Sequence, residues 1–150
     1  LAFNNLCGAL ARREMWEEAS AACREALRLA PTFYMSYQNL GYIAAKQGRN
    51  EEAEKEFREA MRIAPTDIPP RLNLIRILKM QEKWDKLAME QEILHRMMPY
   101  ELDLALDLAQ TYQKLGRAEE ARRLLKSFPL NPADSRGATA IQSALGLLGG

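Results

Sequence analysis

The feature that most restricts what this chain can fold into is a recurrence at 34 residues. Pro31, Pro65 and Pro99 stand that far apart, and so do Leu6, Leu40, Leu74 and Leu108. Two further series keep the step: Ala19, Ala53, Leu87 and Ala121, then Ala26, Ala60, Leu94 and Phe128. Units of this length are too small to bury an apolar face alone, so neighbouring units must stack. Within a unit, apolar residues recur at three- and four-residue steps, pause at a polar break and resume, as two amphipathic helices do.

The second unit shows the pattern best. Tyr37, Leu40, Gly41 and Ala44 form one stripe, and Ala53, Phe57 and Ala60 form the answering one. Gly48-Arg49-Asn50 breaks the helix between them, with Asn50 expected at the N-cap and Glu51 and Glu52 in the first turn, where negative charge suits the helix dipole. Glu51 with Lys55 and Glu54 with Arg58 are favourable pairs one turn apart. Pro65 closes the second helix, because proline inside it would remove a hydrogen bond and clash with the preceding turn. The small Gly41 and Ala53 allow two backbones to approach, and the Tyr37 and Phe57 rings fill the space beside them.

The set Tyr37, Leu40, Gly41, Ala44, Ala53, Phe57, Ala60 and Pro65 resembles the tetratricopeptide repeat signature: an aromatic, a Leu-Gly pair, an Ala opening the second stripe, an aromatic, another Ala and a closing Pro. The first unit keeps Phe3, Leu6, Ala19, Ala26 and Pro31 but has Cys7 and Cys23 where Gly and an aromatic are usual. The third departs most, with Arg71, Ile75, Leu87 and Gln91, and the fourth recovers Leu108, Ala109, Tyr112, Gly116 and Ala121, with Pro132 one residue early. The resemblance implies an all-α fold, a right-handed superhelix of antiparallel helix hairpins. It would form one domain with repeats over 1–33, 34–67, 68–101 and 102–132. After Pro132 the phase is lost. Residues 133–150 are expected to add a capping helix from Ala133 to Leu148, with Ile141, Ala144, Leu145 and Leu148 as its apolar stripe and Gly149-Gly150 frayed.

A separate face of each first helix is left for a ligand. In the second unit it carries Met35, Asn39, Tyr42 and Lys46. The equivalent places are Asn5, Gly8 and Arg12 in the first unit, Asn73, Arg76 and Met80 in the third, and Asp107, Gln110 and Lys114 in the fourth. Asn5, Asn39 and Asn73 thus recur at the repeat step, with Asp107 in the fourth place. An amide both donates and accepts, so such a column can pair with successive peptide groups of an extended chain. In the family these first helices line a concave groove and asparagine ladders bind peptide backbone, and the resemblance implies that role here. The other reading of the asparagines is a solvated helix face. Arg12, Lys46, Arg76, Lys79 and Lys114 outnumber Asp103 and Asp107 on this face, which favours an acidic or carboxylate-bearing peptide. The chaperone-tail pattern of the family is not met: Asn4, Gly8, Asn39, Pro69 and Asn73 stand at its places, and only Asn39 fits.

Other chemistry has little support. The sole histidine, His95, has no Ser or Cys at a spacing that would make a nucleophile, and is expected to pack or lie at the surface. Gly48 and Gly116 are isolated turn glycines rather than a phosphate-binding loop, and no cofactor is expected. Cys7 and Cys23 lack metal-ligand spacing and lie on apolar stripes, so buried free thiols are expected, with a disulfide as the alternative. Met80, Met89, Met97 and Met98 read as core filling. A net charge of +1, from 21 basic and 20 acidic residues, gives no field toward nucleic acid, and no apolar run is long enough to span a bilayer. The chain opens at Leu1 inside an amphipathic pattern and therefore reads as a fragment. A cytoplasmic setting is favoured. The expected function is a non-enzymatic scaffold that binds a protein or peptide. The alternatives are an accessory, substrate-presenting or regulatory region of a larger enzyme or membrane protein, and, further off, RNA recognition.

Overall fold

The computed structural model describes residues 1–131 and 133–149; Pro132, expected to close the fourth repeat, and Gly150 lie outside the described residues. The fold is all-α. Its helices are α1 (Ala2–Arg12), α2 (Trp16–Leu29), α3 (Tyr34–Lys46), α4 (Asn50–Ile63), α5 (Ile68–Met80), α6 (Trp84–Met97), α7 (Leu102–Lys114), α8 (Ala118–Ser127) and α9 (Ser135–Leu147). The chain divides into two compact units, Leu1–Ile77 and Leu78–Gly150, and the boundary falls inside α5.

The first helix of every pair ends in the same way. Glu14, Gly48, Glu82 and Gly116, each 34 residues from the next, have φ of 59°, 75°, 53° and 73°. At each of these left-handed residues the N–H bonds back to the carbonyl three residues earlier. The N–H of the next residue reaches five residues back: Met15 to Leu10, Arg49 to Ala44, Lys83 to Leu78 and Arg117 to Tyr112, at 2.8–3.0 Å. This is the double bond pattern of a Schellman C-terminus, which satisfies two carbonyls that the helix leaves open and turns the chain back on itself. Glycine fits the left-handed residue without strain, whereas Glu14 and Glu82 carry a Cβ into it.

The second helices start without side-chain caps. Asn50 is the first helical residue of α4 rather than its N-cap: Arg49 holds the cap position, with no side-chain cap bond. The Schellman turn spends the residues before the helix on backbone bonds, so the start is fixed by geometry and by Glu51 and Glu52 in the first turn. The expected Glu54–Arg58 ion pair forms at 3.1 Å on the exposed side of α4.

In the unit from Leu1 to Ile77, α1 packs on α2, α3 on α4, and α3 on both α1 and α2. Gly41 is fully enclosed, and a Cβ there would lie 2.7 Å from two carbons of the Phe57 ring. The ring therefore lies directly on the α3 backbone, and its size is matched to the missing side chain. One repeat earlier the same two places hold Cys7 and Cys23. They are joined in a disulfide, with Cα atoms 5.3 Å apart and both residues fully buried. The expectation of free thiols is therefore corrected. The stripes showed that both residues are buried, but not that they occupy the facing pair of positions at which the two helices come closest, within bridging distance. Around the disulfide lie Ala11, Ala19, Ala22, Leu40 and Ile43.

The first-unit signature residues Leu6 and Phe3 are 48% and 39% exposed, although Leu40, at the equivalent place in α3, is 8% exposed. Leu40 shares its cluster with Ala19, Ala22 and Cys23 of α2. No described helix covers α1 in the corresponding way.

The unit from Leu78 to Gly150 has its core in Ala88, Leu108, Ala109, Tyr112, Ala121, Leu125 and Ile141. Ala109 and Leu125 hold the places of Gly41 and Phe57, a small residue again answering a large one. Helix α9 packs on α7 and α8 through Ile141, Ala144, Leu145 and Leu148, the four residues of its apolar stripe. It starts at Asp134, whose side chain accepts from the Gly137 N–H at 2.9 Å. Of the methionines expected to fill the core, Met97 and Met98 are half-buried, whereas Met80 and Met89 are 73% and 63% exposed because they fall on the solvent side of their helices.

Two measurements check this account. Glu14→Gly and Glu82→Gly should each raise the free energy of unfolding by about 1 kcal/mol, since relief of the left-handed strain exceeds the added backbone entropy; urea denaturation reads the gain. Reduction of the disulfide, or Cys7→Ser with Cys23→Ser, should lower stability by about 3 kcal/mol, the value for a closed loop of this size, which spans a sequence separation of 16. Unfolding curves with and without reductant should coincide for the double-serine protein.

Candidate functional site

In the unit from Leu1 to Ile77 a polar surface is shared by α1, α3 and the start of α5. It is organised by Asn4, which is buried. Its Oδ1 accepts from Ser36 Oγ at 3.1 Å and from Asn39 Nδ2 at 3.0 Å. Asn39 is thereby fixed with its carbonyl oxygen and one amide hydrogen uncommitted among the described residues. A cavity of about 200 Å³ opens beside it, lined by Gly8, Ala11, Arg12, Gln38, Asn39, Tyr42 and Asn73. Tyr42 is 38% exposed, and the Lys46 ammonium lies 5.5 Å from its ring centroid. Arg12, Lys46 and Arg76 are exposed and have no carboxylate partner among the described residues.

The expected residues fall into distinct groups. Arg12, Asn39, Tyr42 and Asn73 line this cavity, Lys46 flanks it through Tyr42, and Arg76 lies further along α5 from Asn73. Asn5 is exposed, and it is Asn4, one residue earlier, that meets Asn39. The sequence step pairs residue 5 with 39, but packed helices interlock, so a side chain of α1 sits between positions 36 and 39 of α3 rather than opposite its repeat equivalent. Asn4, Gln38 and Ser36 were absent from the expected set. The spacing of Asn4 with Gly8 and Arg12, one and two turns on, was the available signal.

In the other unit the equivalent places are occupied differently. The Asp107 carboxylate is ion-paired with Lys79 and accepts from Gln91 Nε2 at 2.7 Å. Lys79 and Asp107 thus neutralise each other. Gln110 is exposed, and Lys114 is exposed with its ammonium 5.9 Å from the Trp84 ring centroid.

A second polar cluster joins α6, α7 and α8. The Tyr112 hydroxyl donates to Glu92 Oε1 at 2.9 Å, and the Arg117 guanidinium stacks 4.3 Å over the Tyr112 ring. Arg117 also contacts Glu92 at 3.4 Å and Glu120 at 2.5 Å. Burial, with help from the bond to Glu92, pushes the Tyr112 phenol up to about 12. Among the described residues no group of three or more His, Cys, Asp or Glu could hold a metal ion, and no helix is long and apolar enough to cross a membrane.

Stacked helix hairpins with a solvent-facing polar surface on their first helices define the class: a repeat protein that presents a surface for partners. Models described as tetratricopeptide repeat match residues 35–67 and 89–145, together more than half of the chain. The chain belongs to the tetratricopeptide-repeat family. Proteins of this family are in general scaffolds that bind proteins or peptides. Among solved structures, the chain is similar to YrrB, a tetratricopeptide-repeat protein with an unusual peptide-binding site. The TM-score is 0.76 at 16% identity, over 99% of this chain and 75% of that one. It is also similar to MamA, with a TM-score of 0.72 at 14% identity, over 95% of this chain and 79% of that one. At these identities the likeness establishes the fold. No curated protein matches the chain significantly in sequence.

The raised Tyr112 has a consequence for stability. Its folded value exceeds the ordinary 10 of the unfolded chain, so the stabilisation it gives is complete below pH 10 and is lost as pH rises toward 12. Denaturation between pH 9 and 12 should show this loss, and Tyr112→Phe should flatten the profile over that interval.

Proposed function

We propose that this chain is a non-enzymatic scaffold that binds an extended, carboxylate-bearing segment of a partner protein on the polar surface of α1, α3 and α5. The observation that carries the reading is Asn39. One of its amide hydrogens is held by Asn4, and its remaining carbonyl and N–H face a cavity bordered by cations without carboxylate partners. An amide fixed in this way pairs with a peptide group at small entropic cost, because its rotamer is set before the ligand arrives. Tyr42 offers an apolar wall, and Arg12, Lys46 and Arg76 favour acidic side chains or a terminal carboxylate. Asn73 extends the amide surface along α5. The peptide-binding site of YrrB, a protein of the same fold, supports the reading.

Binding is tested with arrays of acidic, neutral and basic peptides, followed by fluorescence anisotropy on those retained. Asn39→Ala with Asn73→Ala should weaken binding of every retained peptide at least tenfold, about 1.4 kcal/mol, with circular dichroism unchanged. Arg12→Gln with Lys46→Gln should weaken acidic peptides selectively and add no further salt dependence. Undiminished binding by the folded asparagine variant would overturn the proposal.

A further inference from the structure

The unit from Leu78 to Gly150 has a second cleft, unrelated to the asparagine surface. It lies between the second helices α6 and α8, with α7 at its base, and its volume is about 340 Å³. Leu108 and Leu124 make its apolar part, and Glu92, His95, Arg96, Tyr112, Glu120 and Arg123 make the polar part. The polar groups are not equally available. Glu92 is engaged by the Tyr112 hydroxyl and by Arg117, and Glu120 is held by Arg117. Arg117 stands outside the lining and takes up both carboxylates. Arg96 and Arg123 are exposed and, among the described residues, make neither a hydrogen bond nor a close ion pair; the Arg123 charge acts on Glu120 only at longer range. His95 Nδ1 is buried and has no hydrogen-bond partner.

From this arrangement we infer that the α6–α8 cleft is a binding site for a carboxylate on a short apolar stem. The Arg96 and Arg123 guanidiniums would take the carboxylate, and the stem would lie against Leu108 and Leu124. Guanidinium suits the task because its planar N–H groups match the two oxygens of a carboxylate. His95 also lines the cleft, and its Nδ1, closed off from solvent, is left without a hydrogen-bond partner. An unsatisfied buried polar group of this kind is rare in folded proteins. Burial lowers the His95 pKa from its ordinary value, which favours the neutral ring and lessens its repulsion of a cation beside it. The size of the cleft suits a small organic acid or the final residue of a peptide, two sources of the same chemistry.

His95 is the only histidine in the chain, so its imidazole C–H resonances report on the cleft without assignment. Sodium hexanoate is titrated into the protein while these resonances are followed by NMR, with hexanol and hexylammonium chloride as matched controls. The expected result is a saturating shift with hexanoate alone. In Arg96→Gln with Arg123→Gln the apparent Kd should rise at least tenfold, while amide spectra outside the cleft stay in place. A peptide ending in leucine with a free carboxylate, compared with its amidated form, separates the sources. Tighter binding than hexanoate assigns the site to a protein terminus, and weaker binding assigns it to small organic acids. A shift that fails to saturate, that the controls reproduce, or that the double glutamine variant retains in full would overturn the inference. None of these outcomes depends on the asparagine surface, which lies in the other unit.

Discussion

The first, second and fourth hairpins each depend on the closeness of their two helices at one pair of positions. In the second repeat a ring lies on bare backbone, because Gly41 has no side chain and Phe57 takes the space. In the fourth, Ala109 and Leu125 share the volume more evenly within one buried cluster. In the first, Cys7 and Cys23 replace the contact by a covalent bond at the same places. What these solutions have in common is the gap they fill. A core packed near crystal density accepts a different division of volume across a contact more readily than a change in its total. The disulfide meets the same demand with less side-chain volume, and it constrains the unfolded chain as well.

The second shared element is the reversal that brings those helices together. Four Schellman turns at one spacing use two backbone hydrogen bonds each, and they form whether the left-handed residue is Gly or Glu. The bonds and the packing beyond the turn therefore outweigh the strain of Glu14 and Glu82, which is on the order of 1–2 kcal/mol per residue. Within the unit from Leu1 to Ile77 the same turn ends α1 and α3, and their polar faces meet at Asn4 and Asn39. The first helices differ in chemistry: near Asn39 the cations are unneutralised, while Lys79 and Asp107 cancel each other.

Much of this architecture was legible in the residues. The period of Pro31, Pro65 and Pro99 and the two stripes per repeat identify helix pairs, and the Ile141, Ala144, Leu145 and Leu148 stripe identifies α9, because helical periodicity is a local property of the chain. The candidate site was legible in part. Arg12, Asn39, Tyr42 and Asn73 stand on the expected face, but Asn4 was missed, since it joins Asn39 through the interlocking of two helices and not through the repeat step. The exposure of Met80 and Met89 was likewise hidden, because a methionine reads the same in sequence whether it faces a neighbour or water.

The sequence by itself determined the repeat, the family and the helix pairs, all of which follow from spacing along one chain. Tertiary structure alone decided that Cys7 faces Cys23, that Asn4 fixes Asn39, that Lys79 cancels Asp107, and that Arg117 takes up Glu92 and Glu120 beside the cleft of Arg96 and Arg123. These are relations between side chains on different helices. They depend on distances of a few ångströms, set by how volumes fit at the helix contacts, and no periodicity encodes which of several nearby groups that fit will bring together.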